Sequence, residues 1–379
     1  MPLVHHARTA RSLATTVLRA TVFGATAAGM GLLARAAWGI PSALGASAAA
    51  IKQVANGSPQ FEGGTFRNRL PPEVVRPASF ASIMVAVLTR GRIGEPNGPV
   101  PLVEPRHPTV AAELAVTWFG HSSALIEIDG RRVLVDPVWS DRASPSGVVG
   151  PRRLHPVPVA LDRLPPVDVV LISHDHYDHL DLATVRKLVR GSRAPFVVPL
   201  GVGAHLRAWG VPAERVVELD WDGQARVREL TLTCTEARHF SGRGLTRNTT
   251  LWASWVIAGP QHGAFFGGDT GYTPAFAEIG ARFGPFNLTL LPIGAYHDQW
   301  PDMHMNPEEA VRAHGDLGGG LLVPVHWATF NLGFHEWSEP VRRLCAEAKR
   351  TDVRVAVPRP GERFVVSAPP TQDWWSALA

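Results

Sequence analysis

The sequence predicts a layered α/β protein, built from β-strands with helices between them. Short apolar runs typical of strands recur from residue 114 to residue 366, and segments with helical spacing separate several of them. Hydrophobic residues make up 45% of the 379 residues and charged residues 18%, so the chain can bury a substantial core. The 36 glycines and 33 prolines indicate many turns, which disfavours a helical bundle.

The first predicted strands form a meander. They are Leu114–Phe119, Ser123–Ile128 and Arg132–Val135, and the Asp129-Gly130 pair between the second and the third is typical of a two-residue hairpin turn. Because each turn is short, we expect these strands to be antiparallel neighbours.

The following elements alternate between strands and helices. Val167–Ile172 is a continuous apolar run typical of a buried strand, and Asp181–Val189 has helical spacing of its apolar residues. Three later helices are predicted with proline near the first turn, at Pro274–Ile279, Pro307–His314 and Pro340–Lys349. The remaining predicted strands are Phe196–Pro199, Arg226–Cys234, Leu251–Ala258, Ala264–Phe266, Leu288–Pro292, Leu321–Val325 and a closing pair, Arg354–Val357 with Arg363–Val366.

Residues 1–55 form a basic apolar segment, for which a membrane anchor, a cleaved signal and a soluble Ala-rich helix are all open interpretations. The uncharged run from Ala20 to Ala34 is shorter than the roughly 20 apolar residues of a spanning helix. No acidic residue precedes Glu62, while the stretch before it carries Arg8, Arg11, Arg19, Arg35 and Lys52. Residues 56–110 are a turn-rich transitional segment, and residues 111–379 form the main domain.

Composition excludes several classes of protein. The net charge of +4 comes from the N-terminal stretch and the rest of the chain is close to neutral, so we expect no nucleic-acid partner. Cys234 and Cys345 are the only cysteines, which excludes a disulfide scaffold and a cysteine-based zinc finger.

A cluster of imidazoles and carboxylates follows the strand that ends at Ile172. These side chains are costly to bury without partners, and metal coordination removes that cost. Neutral imidazole with carboxylate suits zinc, with iron or manganese as alternatives. His239, Asp269 and His326 each follow a later apolar strand, and the local cluster comprises His174, His176, Asp178 and His179.

The H-x-H-x-D-H run resembles the signature of the metallo-β-lactamase superfamily. The resemblance implies a four-layer αββα sandwich with two metal ions at one edge of its sheets, here with a hydrophobic N-terminal extension. It implies that His174, His176 and His239 hold one ion, that Asp178, His179 and His326 hold the other, and that Asp269 bridges both. Two divalent cations, two carboxylates and a hydroxide leave a net positive site, which attracts an anionic substrate and favours hydrolysis.

Outer motifs resemble the subgroup of N-acyl-phosphatidylethanolamine-hydrolysing phospholipases D. They are Trp118-Phe119-Gly120-His121-Ser122, Val135-Asp136-Pro137-Val138-Trp139, Leu291-Pro292-Ile293-Gly294-Ala295-Tyr296, Met305-Asn306-Pro307-Glu308-Glu309-Ala310 and His326-Trp327-Ala328-Thr329-Phe330. The resemblance implies a membrane-associated enzyme that cleaves a lipid phosphodiester, and a transitional segment that packs on the core. The family often continues Glu-Pro-Arg-Trp after Tyr296, whereas His297-Asp298-Gln299-Trp300 stands here, which leaves headgroup recognition open.

Further residues are candidates for substrate contact and ligand orientation. Tyr296, His297, Trp300 and His304 are the substrate-binding candidates, and His304 is also a catalytic candidate beside Asp269. For His304 the alternative is a structural role at the entry of the helix near Asn306; for His297 it is a surface position and for Trp300 core packing. His121 and Asp136 are expected to orient ligand imidazoles, with simple turn residues as the alternative.

The leading functional hypothesis is a phosphodiesterase with two zinc ions, whose bridging hydroxide attacks the phosphorus of an amphiphilic lipid. The alternative keeps the metals but takes a small soluble lactone, cyclic phosphodiester or β-lactam, with the N-terminus as an export signal. A third hypothesis is a non-catalytic metal-binding scaffold. The leading hypothesis places the protein at a membrane surface, and the alternatives are export or the cytoplasm.

Overall fold

The structure is a computed structural model that describes residues 31, 34–71, 85, 89 and 91–379. Before the sheets come two short helices and a small hairpin: α1 (Ile40–Leu44), α2 (Ala48–Ala55), β1 (Phe61–Glu62) and β2 (Thr65–Phe66). The Ser47 side chain caps α2 by accepting a hydrogen bond from the Ala50 amide.

A seven-stranded sheet carries the predicted meander. Its spatial order is β15-β3-β4-β5-β6-β7-β8. The pairs from β15 to β5 are antiparallel and the pairs from β5 to β8 are parallel. The strands are β3 (Leu114–Gly120), β4 (Ser123–Ile128), β5 (Arg131–Val135), β6 (Val169–Leu171), β7 (Phe196–Pro199), β8 (Val216–Leu219) and β15 (Arg363–Val365).

A six-stranded sheet faces the first, in the order β14-β13-β12-β11-β10-β9. Strands β9 to β12 are antiparallel, whereas β12, β13 and β14 run parallel. The strands are β9 (Gln224–Val227), β10 (Leu230–Thr235), β11 (Ser254–Ala258), β12 (Gly263–Phe266), β13 (Phe286–Pro292) and β14 (Gly319–Val325).

Helices cover the outer face of each sheet. The helices are α3 (Leu182–Gly191) and α4 (Val202–Ala208) on the seven-stranded sheet, and α5 (Ala275–Phe283), α6 (Pro307–Asp316) and α7 (Glu339–Thr351) on the six-stranded sheet. Leu125 belongs to the core beneath α3 and α4, while its neighbour Ile126 belongs to the core between the sheets, because successive side chains of a strand point to opposite faces. The predicted αββα sandwich is confirmed.

Two strand predictions are wrong in detail. The predicted strand Arg226–Cys234 is a tight hairpin, in which Val227 pairs with Leu230 and Arg228 adopts a φ of 55° without glycine. The predicted closing pair, Arg354–Val357 with Arg363–Val366, does not form. Val355 bridges Leu322 of the six-stranded sheet, while β15 pairs with β3 of the other sheet.

Residues 40–55 pack against α4. Ile51 and Ala55 are buried. The Trp209 indole donates to the Ser42 carbonyl over 2.8 Å, and the Ala46 amide donates to His205 Nδ1 over 2.9 Å. The predicted membrane-directed run from Ala20 to Ala34 lies, apart from Gly31 and Ala34, outside the described residues. Among the residues that are described, none belongs to a helix with the length and apolarity needed to span a bilayer.

Candidate metal centre

Three imidazoles converge at one edge of the sandwich. His174 and His176 lie in the loop that follows β6, and His239 follows β10. His176 Nδ1 lies 2.8 Å from His174 Nε2 and 3.3 Å from His239 Nε2. We call this group the first triad (His174, His176 and His239).

A second group, defined by Asp178, His179 and His326, lies beside the first triad. Asp178 Oδ2 is 3.4 Å from the Nε2 atoms of both His179 and His326. His121 Nε2 lies 2.8 Å from the same carboxylate oxygen, closer than either predicted ligand. His121, expected only to orient an imidazole, therefore reaches the second group directly.

Asp269 joins the two groups. Its Oδ2 lies 2.9 Å from His326 Nε2 and 3.2 Å from His179 Nε2, and 3.8 and 4.0 Å from the Nε2 atoms of His239 and His174. The preceding Gly268 has a φ of +58°, and a Cβ there would lie 2.5 Å from the Ser173 Cβ, so this turn requires glycine.

The backbone around the site is strained at three residues that are not glycine. His121, Asp136 and His326 have φ values of 52°, 38° and 60°. Such left-handed conformations cost on the order of 1 kcal/mol each and cluster at functional sites. They turn the chain at strand ends and bring these side chains to the shared edge of the two sheets.

Hydrogen bonds at Nδ1, the ring nitrogen that faces away from the centre in three of the ligands, fix the orientation of their imidazoles. His179 Nδ1 donates to Asp136 Oδ2 over 2.7 Å, and His239 Nδ1 donates to the Met303 carbonyl over 2.8 Å. Ser173 Oγ donates to Asp136 over 2.5 Å and lies 2.9 Å from His174 Nδ1. The Nδ1 atoms of His174, His179 and His239 therefore carry a proton, and the Nε2 atoms of these three residues face the centre. Sequence reasoning identified Asp136 but missed Ser173 and the Met303 carbonyl.

These protonation patterns make the site fit divalent cations. In the first triad, His174 Nε2 and His239 Nε2 both face His176 Nδ1, over 2.8 and 3.3 Å, and one proton on His176 Nδ1 can serve only one of them, whereas a cation can serve all three nitrogens. In the second group, His179 Nε2 and His326 Nε2 are buried without a hydrogen-bond partner, and so is Oδ1 of the adjoining Asp269. Histidine and aspartate clusters of this geometry can bind metal ions, and the donor set is one that zinc accepts.

The pKa values show opposing effects of burial and charge. Burial and neighbouring imidazoles hold the pKa of His174 well below its usual value. Burial also lowers the pKa of His326, but the Asp269 and Asp178 carboxylates outweigh it and raise that pKa to about 9. The same carboxylates raise the pKa of His179. A cation in the second group would replace these protons as the counter-charge.

Of the four substrate-binding candidates, His304 lies at the metal centre, whereas Tyr296, His297 and Trp300 make their contacts outside it. His304 Nδ1 lies 3.8 Å from Asp269 Oδ2 and its ring is 5.0 Å from that of His326, so His304 belongs to the centre. The Tyr296 hydroxyl instead donates to Glu339 of α7 over 2.7 Å.

His297 and Trp300 stack on each other with ring centroids 4.4 Å apart. Phe334 lies 5.6 Å from the His297 ring and 5.9 Å from the Trp300 ring. All three thus form one aromatic cluster, with His297 and Trp300 only partly buried.

Comparisons with known proteins show the family to which the chain belongs. The family model described as "Beta-lactamase superfamily domain" matches residues 131–327. An uncharacterised protein of Mycobacterium tuberculosis is 59% identical over 356 residues, covering 92% of this chain and 95% of that protein. The N-acyl-phosphatidylethanolamine-hydrolysing phospholipase D 1 of Caenorhabditis elegans is 36% identical over 236 residues, covering 59% of this chain and 66% of the worm protein.

Among solved structures, a metallo hydrolase from Ignicoccus hospitalis superposes with a TM-score of 0.52 at 23% identity. The match covers 66% of this chain and 97% of the archaeal one. At this identity the likeness shows a common fold.

Proposed function

Because this chain is a metallo-hydrolase that belongs to the β-lactamase superfamily domain family, we propose that it is a phosphodiesterase of phospholipase D type. Its proposed substrate is an N-acyl-phosphatidylethanolamine-like lipid, and its proposed cofactors are two zinc ions. The observation that carries the proposal is the position of Asp269 Oδ2, within 4.0 Å of imidazole nitrogens from both ligand groups.

Two divalent ions at these groups would supply a water of lowered pKa and positive charge for the phosphoryl oxygens. The first triad would hold one ion, and Asp178, His179 and His326 the other. Asp269, whose Oδ2 lies within 4.0 Å of imidazole nitrogens of both groups, would be available as a ligand to either ion.

His304 is the residue best placed to act on the substrate itself. Its Nδ1 is buried without a hydrogen-bond partner and lies beside Asp269. The leaving group is the N-acylethanolamine. Burial lowers the pKa of His304 to about 3, so its imidazole is neutral, and a hydrogen bond donated by its ring N–H would stabilise the leaving oxygen, which takes up a proton of the attacking water. The aromatic cluster of His297, Trp300 and Phe334 offers an apolar wall for an acyl chain.

The lipid assignment is supported by the 36% identity to the worm phospholipase D and by the basic, apolar composition of residues 1–55. We propose that this segment brings the enzyme to a membrane. The substitution of the Glu-Pro-Arg pattern by His297-Asp298-Gln299 means that this chain must recognise the lipid phosphate without that arginine.

A substrate panel tests the proposal. Zinc-loaded enzyme is offered an N-acylated phospholipid, a soluble phosphodiester, a lactone and a β-lactam, and we expect turnover of the two diesters with preference for the lipid. Turnover of the lactone or the β-lactam alone would contradict the proposal and favour a small soluble substrate.

Asp269→Asn tests the role of the shared carboxylate. It should abolish hydrolysis, because the bridging charge is lost. Asp352→Asn is the matched control, since Asp352 is exposed at the end of α7 and its φ of 58° is one that asparagine accepts. Retained turnover in Asp269→Asn would refute the bridging role.

A further inference from the structure

Large apolar side chains are exposed on three neighbouring segments at the metal-centre end of the molecule. Trp38 is 84% exposed, Val149 60% and Leu44 39%, and Leu245 is fully exposed. Single exposed apolar residues are ordinary, but a contiguous group of them marks an interaction surface. We call this group the exposed apolar face (Trp38, Leu44, Val149 and Leu245).

Contacts between the segments show that the face is contiguous. Ser146 Oγ donates to the Ala36 carbonyl over 2.7 Å, which joins the loop of Val149 to the segment of Trp38. An open cavity of about 470 Å³ between them is lined by Arg35, Trp38 and Val148, among others. A Cβ at Gly244 would lie 3.7 Å from Leu44 Cδ2, so Leu44 adjoins the loop of Leu245.

The loop of Leu245 is anchored on one side by a buried arginine. The Arg243 guanidinium lies 4.1 Å from the Tyr177 ring centroid and 4.9 Å from that of Trp209. It donates to the carbonyls of Ala43, Asp175 and Leu180 over 2.9, 2.6 and 2.8 Å. The apolar face is therefore held beside the metal-binding loop by a buried contact.

The face borders the metal centre. Phe240, which begins the loop of Leu245, lies 4.5 Å from the His176 ring and 4.7 Å from the His239 ring. The Arg247 guanidinium lies 5.2 Å from the Phe240 ring. A surface that docks here would meet the partly exposed side of the first triad.

The charge around the face is complementary to an anionic partner. Arg35 and Arg247 are exposed, and neither has an ion-pair partner among the residues that the structure describes. The chain that precedes the face carries Arg8, Arg11 and Arg19 and no acidic residue. Exposed apolar side chains flanked by uncompensated arginines match the headgroup and acyl boundary of an anionic bilayer.

We propose that the exposed apolar face docks on a bilayer containing anionic phospholipid and turns the metal centre toward the lipid. The proposal rests on the proposed lipid substrate, and it assigns membrane contact to the folded body in addition to the N-terminal segment. A lipid then reaches the metal centre from the bilayer without crossing bulk water.

A fluorescent reporter tests the docking geometry in the full chain. Leu245→Cys carries an environment-sensitive label, and Val110→Cys is the matched control because Val110 is also exposed, at 75%, beside the start of β3. Cys234 is buried and burial raises the pKa of Cys345 to about 11, so the introduced thiol reacts preferentially. The unsubstituted chain gives the labelling baseline.

The expected result is a blue shift of the label at residue 245, with quenching by brominated lipid, on addition of vesicles of phosphatidylglycerol and phosphatidylcholine in equal amounts. The label at residue 110 should not respond. Equal responses at both positions, no response at residue 245, or no binding of the chain to vesicles would overturn the proposal. A shift that follows protein concentration without vesicles would show that a second copy covers the face, which also overturns it.

A second measurement uses the double variant Trp38→Ser with Leu245→Ser. Its partitioning into the same vesicles should fall about tenfold, since two apolar side chains no longer enter the interface. Turnover of a soluble diester should be unchanged, and Val110→Ser should affect neither quantity. Partitioning equal to that of the unsubstituted chain would contradict the proposal. Because vesicle binding is measured without turnover, insertion at residue 245 with no lipid hydrolysis would reject the proposed substrate and leave the docking face standing.

Discussion

Asp136→Asn is the substitution that most directly tests how the metal centre is held. Asp136 is fully buried and binds no substrate in the proposed mechanism. Its Oδ2 accepts hydrogen bonds from His179 Nδ1 and Ser173 Oγ, and its Oδ1 accepts from the Ser173 amide. An asparagine keeps one acceptor and presents an NH₂ group to donors, so at least one of these bonds is lost.

The expected loss follows from those contacts. His179 would no longer be held in the tautomer that points Nε2 inward, and His174 would lose the link through Ser173. Loss of such a partner typically lowers metal affinity about 10- to 100-fold, or about 1.4 to 2.7 kcal/mol. Because the site is buried, water cannot restore the missing bonds.

Competition with a chromophoric chelator measures the zinc affinity of each variant. Asp129→Asn is the matched control: Asp129 also has positive φ, at 47°, and also pairs with a histidine, with Asp129 Oδ1 2.5 Å from His262 Nδ1. We expect the control to keep its zinc affinity. An Asp136→Asn affinity within twofold of the unsubstituted chain, with the fold intact, would refute the reasoning.

Two predictions concern stability. Burial raises the pKa of Glu127, but neighbouring His107 and Arg363 and the Ala112 amide outweigh it and lower that pKa to about 2. Because the pKa of Glu127 is lower in the folded protein than its value of 4.5 in the unfolded chain, the ionised carboxylate stabilises the fold by about 3 kcal/mol at pH values above 4.5. This stabilisation is lost as the pH falls toward 2. The free energy of urea unfolding should therefore depend less steeply on pH between 4.5 and 2 in Glu127→Gln than in the unsubstituted chain. Equal slopes in the two proteins would contradict this prediction. Arg243→Met should lower the free energy of urea unfolding by about 3 kcal/mol, since three buried carbonyls lose their donor; a loss no larger than that of the exposed control Arg247→Met would refute this.

The layers of the fold and the cluster of candidate ligands could be predicted because each rests on a local signal. The apolar run before His174 and the density of imidazoles after it lie within one short stretch. His239, Asp269 and His326 follow strands that the apolar pattern also identifies. The expectation that they join the local cluster rested on the resemblance to the metallo-β-lactamase superfamily, because position after a strand does not by itself say which strand ends lie together.

Contacts to backbone carbonyls carried no comparable signal. Arg243 binds the carbonyl of Ala43, 200 residues earlier, and nothing in its own neighbourhood predicts that partner. The expected pairing of Arg354–Val357 with Arg363–Val366 was wrong because a local signal was present but misleading. Closeness in sequence favoured a hairpin, while Val355 and β15 each gained a partner in a different sheet.

The C-terminal segment contacts both sheets, at Val355 and at β15, and the ligand residues are likewise divided between the two sheets. His174, His176 and His179 follow a strand of one sheet, whereas His239, Asp269 and His326 follow strands of the other. An ion bound by residues of both sets would therefore be held by both sheets of the sandwich. Between Val355 and β15 the chain also crosses from the six-stranded sheet to the seven-stranded sheet, so the two sheets are linked covalently at the C-terminus as well as by any such ion.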